Sequence, residues 1–211
     1  MPASLIHLVR HGEVENPDRV LYGRLPGFGL SDLGHRMAAT AAAAFAGNPV
    51  TRLYASPLLR TQQSAAPWAK TLELPITTDD RLIEPTNKFE GTRVRGANLL
   101  TRPEAWPWMV NPLRPSWGEA YASIAERMLA SIEDAWENTD GGEAVLVTHQ
   151  LPIWMVHRML AGDRLYHDPR KRRCSLSSVT TFEKRGNRFI EVAYQDPARE
   201  LAATATDLGA V

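Results

Sequence analysis

Leu5-Ile6-His7-Leu8-Val9-Arg10-His11-Gly12-Glu13 decides how this chain is read. The run from Leu5 to Val9 is apolar apart from His7, the pattern of a strand covered on both faces. It ends on a guanidinium beside an imidazole. In open α/β sheets ligands gather outside the carboxyl ends of strands. A guanidinium stays charged at physiological pH and grips phosphate oxygens bidentately, so this strand end suits an anionic ligand. His7, inside the strand, is expected to be a packed, hydrogen-bonded core histidine.

Outward from this stretch, strands and helices alternate. Ser31 is a good N-cap, and the alanine-rich segment Asp32 to Ala46 favours helix until Gly47-Asn48-Pro49 stops it. Leu53-Tyr54-Ala55 reads as a short strand. Ser56-Pro57 follows as N-cap and first-turn proline of a helix that carries Arg60, with Pro67 kinking or shortening it. Ile76 to Leu82 is a predicted strand, Ser116 to Glu137 a helix, Ala144 to Thr148 a buried strand, and Pro152 to Leu160 a helix. Ser178 to Glu183 and Phe189 to Tyr194 form a predicted terminal hairpin. The expected architecture is an α/β three-layer sandwich, a mostly parallel mixed sheet flanked by helices. His11, Arg60 and His149 each fall just after a predicted strand, so one sheet edge can gather all three.

The 211 residues and 44% apolar content suit one domain with a substantial core. Lys plus Arg and Asp plus Glu balance at 24 each, so overall charge argues for neither nucleic acid nor an anionic membrane as partner. The one cysteine, Cys174, forms no intrachain disulfide and by itself no structural zinc site. With no signal-like segment and no apolar run of roughly 20 residues, a cytoplasmic protein is expected. The histidines are scattered, and no metal site or cofactor is predicted. A homodimer is left open.

Further elements lie in order along the chain: Asn16, Leu21-Tyr22-Gly23-Arg24, Leu30-Ser31-Asp32-Leu33-Gly34, Tyr54-Ala55-Ser56-Pro57-Leu58-Leu59-Arg60-Thr61, Leu82-Ile83-Glu84 and Val145-Leu146-Val147-Thr148-His149. Together with Arg10-His11-Gly12-Glu13 they resemble the histidine phosphatase superfamily, the phosphoglycerate mutase-like proteins, from about Leu5 to about Ile153. The resemblance implies the same α/β architecture. It also implies that His11 is a nucleophile forming a phosphohistidine, that Arg10 and Arg60 clamp phosphate, and that a cationic His149 donates to a phosphoryl oxygen. Glu84 then serves as general acid and later as base, with Glu13 and Glu90 as runners-up. Asn16, Tyr22, Gly23 and Arg24 complete the expected substrate-binding set. The other ring nitrogen of His11 needs a carbonyl to fix its tautomer.

Val14 stands where many family members have a small hydroxyl residue, and Gln150-Leu151-Pro152 replaces a glycine-containing turn; Gly118-Glu119 is followed by Ala120 where a serine is usual. No Glu-Arg-His-Tyr-Gly element follows Glu84, which favours hydrolysis of a small phosphorylated metabolite over cofactor-dependent mutase chemistry. A noncatalytic phosphate-binding module is the third reading. Residues 99–117, rich in tryptophan and proline, are read as a lid or as an apolar flap, and Arg170-Lys171-Arg172-Arg173 as a solvated loop.

Overall fold

A computed structural model of the chain describes residues 2–93 and 117–207. In chain order it contains β1 (Leu5–Arg10), α1 (Asp32–Ala44), β2 (Val50–Ala55), α2 (Leu59–Leu72), β3 (Ile76–Thr78), α3 (Tyr121–Asn138), β4 (Glu143–Thr148), α4 (Gln150–Ala161), β5 (Val179–Arg185), β6 (Arg188–Gln195) and the short α5 (Arg199–Ala202). The strands form one six-stranded sheet in the order β3-β2-β4-β1-β5-β6. β1, β2, β3 and β4 run parallel, and β5 and β6 are antiparallel. The mixed sheet flanked by helices is the architecture the sequence predicts.

Strand alternation builds the layers. In β4, Ala144 and Leu146 join a core with Ile6, Leu8, Met128, Ile132 and Ile153. Val145 and Val147 join the opposite core with Val9, Ala41, Leu53, Ala65 and Trp68. Successive side chains of a strand point to opposite faces, so a continuously apolar strand such as β4 must be covered on both. His7 is 2% exposed, packs edge-on against Phe45 of the second core, and lies 2.9 Å from Thr181 Oγ1 and 2.8 Å from Glu143 Oε2. It is the hydrogen-bonded core histidine expected.

Several boundaries differ from the sequence reading. Ser31 caps α1 as predicted, its Oγ accepting from Gly34 N at 3.0 Å. Ser56, by contrast, is no cap: α2 begins at Leu59 behind Leu58, without a side-chain cap hydrogen bond. The Ser56 backbone carbonyl instead accepts from Thr61 Oγ1 and Gln62 Nε2, which holds the turn. Pro67 does not shorten α2, which runs on to Leu72. β3 stops at Thr78 because Asp79 turns the chain into a 3-10 helix, Asp80–Leu82, accepting from Arg81 N with its side chain. The predicted segment 99–117 lies outside the described residues except for Trp117. Among the described residues, no helix is long and apolar enough to cross a membrane.

Candidate active site

β1 and β4 pair in register, with Arg10 opposite Thr148. Their carboxyl ends therefore deliver His11 and His149 side by side, the ring centroids 5.3 Å apart. The backbone N–H of His11 donates to Thr148 O at 3.1 Å, fastening the start of the loop to β4. Gly12 is required by close approach: a Cβ there would sit 2.4 Å from the carbonyl oxygen of Gly34. That contact explains why a glycine follows His11, and a Cβ on Gly34, in the first turn of α1, would lie 2.0 Å from the carbonyl oxygen of Glu13.

His11 is 1% exposed, and its Nδ1 lies 2.7 Å from Gly12 O. A carbonyl only accepts, so Nδ1 carries the hydrogen and Nε2 keeps its lone pair. Burial, followed by the charges of Arg60 and Arg10, pushes the imidazole well below the usual histidine range. The ring is a neutral base with a fixed tautomer, as the sequence reading required.

The arginines come from different elements. Arg60, 1% exposed in the first turn of α2, donates from Nη2 to Gly23 O at 2.7 Å, and its guanidinium carbon lies 4.8 Å from the Tyr22 ring centre. Burial pulls Arg60 below the ordinary arginine value. Tyr22 and Gly23 thus hold Arg60 in place. Gly23 takes a positive φ of 39°, and Glu90 packs where its side chain would be. Glu90 Oε1 also accepts from Arg24 N and Asn87 N, so its role is to shape this loop. Arg10, also 1% exposed, donates from Nη1 to Cys174 O at 2.6 Å and grips Asp207 with both terminal nitrogens, at 2.7 and 2.6 Å. Burial opposes the charge of Arg10, but Asp207 outweighs it and raises the guanidinium above its ordinary value.

Glu84 is wholly buried, its Oε2 3.4 Å from His149 Nδ1. Burial raises its carboxyl to about 7 against the opposing charges of Arg60, Arg172, Arg10 and Arg127. The other ring nitrogen of His149, Nε2, is 2.8 Å from Ser56 Oγ. Burial, reinforced by Arg60, pushes His149 well below the usual range. The protein's own groups thus oppose a charge on this ring.

Arg10 Nε, Arg60 Nε, both oxygens of Glu84 and His149 Nδ1 are buried without a hydrogen-bond partner. Buried polar atoms are nearly always paired, so such a concentration at one sheet edge marks a place shaped for a polar ligand. Arg24 stands beside it, its Nε donating to the Glu84 backbone carbonyl and its Nη2 3.6 Å from Glu119. The Asn16 side chain closes a loop by donating to Val20 O and accepting from Val20 N. Glu13, the other carboxylate of the first motif, accepts from Ser31 Oγ and Thr206 N and supports the N-terminus of α1.

Sequence reasoning missed Ser56, Arg172 and Asp207. Ser56 carries a helix-cap signal that concealed its contact with His149. Arg172 sits inside the basic run read as solvated, yet its Nε donates to His167 Nε2 and its Nη1 lies 3.3 Å from Gln150 Oε1. Its charge reaches Glu84. Asp207 is remote from every motif, and no local pattern points to it. Among the described residues, no group of His, Cys, Asp and Glu is arranged to hold a metal ion.

The sequence model of the histidine phosphatase superfamily (branch 1) matches residues 6–197. The chain belongs to this superfamily. It is similar to the uncharacterized protein Rv0525 of Mycobacterium tuberculosis, 47% identical over 194 residues that cover 92% of this chain and 96% of that one. It is also similar to the "probable phosphoglycerate mutase GpmB" of Yersinia enterocolitica, 32% identical, with 82% of this chain and 83% of that one covered. Among solved structures, YhfR of Bacillus stearothermophilus superposes with a TM-score of 0.76 at 22% identity, over 90% of this chain and 95% of that one. Mycobacterial glucosyl-3-phosphoglycerate phosphatase Rv2419c superposes with a TM-score of 0.70 at 22% identity, over 91% and 96%. The superfamily thus contains phosphatases and mutase-like relatives, and the fold is theirs.

Proposed function

We propose that this chain hydrolyses phosphate monoesters of small metabolites through a phosphohistidine on His11. One observation carries the reading: a neutral imidazole with Nδ1–H anchored to Gly12 O, leaving the Nε2 lone pair beside two buried guanidiniums. Nε2 attacks phosphorus and the bond to the alcohol oxygen breaks. Glu84, protonated near neutral pH, gives its hydrogen to the leaving oxygen. Water then attacks the phosphohistidine, the P–N bond breaks, and the Glu84 carboxylate takes the water's proton. The transition state spreads charge over the equatorial phosphoryl oxygens, and Arg10, Arg60 and a His149 protonated by the arriving phosphate stabilise it. Arg24 and Tyr22-Gly23 shape the pocket wall. Neither cofactor nor metal has a step in this scheme.

The likeness to the Yersinia mutase-named protein favours a second reading, transfer of the phosphoryl group back to a substrate hydroxyl instead of to water. The discriminating experiment measures inorganic phosphate released from an aryl phosphate in the presence of a chelator, with the native chain and His11→Ala. Turnover lost in the variant supports hydrolysis at His11. Isomerised phosphoglycerate without released phosphate supports the mutase, and equal turnover in both proteins refutes His11 as nucleophile.

A further inference from the structure

The phosphate clamp of the proposed reaction already holds an anion. Asp207 presents its carboxylate edge to the fork of Arg10, with N···O distances of 2.7 and 2.6 Å. Carboxylate and phosphate both match a guanidinium edge with paired oxygens, so the two compete for the same donors. Resting on the proposed reading, we propose that the stretch Thr206–Asp207 is an internal competitor: it occupies the Arg10 fork and swings away when a phosphate ester enters.

The segment leading to it is anchored by packing as far as Ala205. Ala198 is buried in a cluster with Met37 and Leu176, against which Leu201, Ala202 and Ala205 pack. Backbone hydrogen bonds from Ala202 N to Ala198 O and from Ala205 N to Ala202 O tie the arm internally. Beyond Ala205 the hold changes character. Thr206 N donates to Glu13 Oε1, and Asp207 reaches Arg10. The Asp207 side chain is 39% exposed while that of Arg10 is 1% exposed. The carboxylate therefore meets the fork from the solvent side. The anchor keeps the local concentration of this stretch high, yet the ion pair is open enough to water to be exchanged. This arm lies beyond the residues 6–197 that match the family model.

A competitor of this kind lowers apparent affinity by the fraction of molecules in which the fork is open. A competitor engaged about nine-tenths of the time weakens phosphate binding about tenfold. The test is calorimetric titration of inorganic phosphate into the full chain, Asp207→Asn and Asp207→Ala, each with native circular dichroism. The expected result is a dissociation constant about tenfold lower in both variants, with hydrogen exchange at the Thr206 amide of the unmodified chain accelerating when phosphate is added. Equal or weaker binding by the variants, or a Thr206 amide that stays protected, overturns the competitor while leaving the phosphatase reading intact. No binding by any of the three folded proteins overturns both.

Discussion

Replacing Glu84 by glutamine should make the protein more stable at alkaline pH while removing its proposed acid. The carboxyl is wholly buried, both oxygens lack hydrogen-bond partners, and burial lifts it from 4.5 to about 7. The folded chain holds this proton more tightly than the unfolded chain. Stability therefore falls as pH rises from the unfolded value of 4.5 toward about 7, and the loss is complete above that. A shift of this size corresponds to roughly 3 kcal/mol. Glutamine is neutral throughout and nearly the same shape as the protonated acid. Urea unfolding at pH 5 and pH 8.5 separates the contribution: the difference between Glu84→Gln and the unmodified chain should be larger at the higher pH by roughly 3 kcal/mol, or about 6–12 °C in Tm for a chain of this size. Other titrating groups are common to both proteins and cancel. A stability difference independent of pH would refute the claim that the buried carboxyl is the source, and unimpaired phosphate release by the variant would remove Glu84 as the acid.

Arg60→Lys should lower kcat for aryl phosphate by about 100-fold or more, because a lysine cannot both donate to Gly23 O and present a planar fork to the phosphoryl oxygens; a change below threefold in steady-state kinetics would contradict that clamp. Gly12→Ala should cost about 3 kcal/mol in urea unfolding, since its Cβ would lie 2.4 Å from Gly34 O and neither backbone can yield cheaply. Trp68→Ala, in a wholly buried site of the α2-side core, should cost about 3–5 kcal/mol by the same measurement while leaving KM nearly unchanged. His149 is pushed well below its usual 6.5, so the stability it contributes is present above that pH and lost as pH falls. His149→Gln should flatten this acid limb of the unfolding profile, and an unchanged limb would show that His149 is not buried neutral.

Much of the proposed catalytic cluster was readable because its residues follow strands. His11 and His149 occupy the ends of β1 and β4, whose apolar continuity announces burial on both faces, and parallel pairing in register can only bring such ends together. The Ser31 cap was equally legible, because a cap is satisfied within its own first turn. The same local logic failed at Ser56. Its sequence is that of a helix start, but His149 from another element competes for the hydroxyl, and the helix begins later. The local Asn16 turn was not legible either: its amide donates to and accepts from the backbone of Val20, which no motif announces.

By itself the sequence determined the alternation of buried strands and amphipathic helices, the strand-end positions of His11 and His149, the place of Arg60 in the helix after β2, and the chemical types available there. Those properties depend on side-chain periodicity and on turns of a few residues. Tertiary structure decided the pKa shifts and the partners: Glu84 raised to about 7, His11 and His149 pushed well below the usual histidine range, Arg60 over Tyr22 and Asp207 in the fork of Arg10. A pKa depends on which charges and how much water surround a group in three dimensions. No spacing in the chain sets Asp207 beside Arg10, 197 residues away; only the path of the folded backbone does.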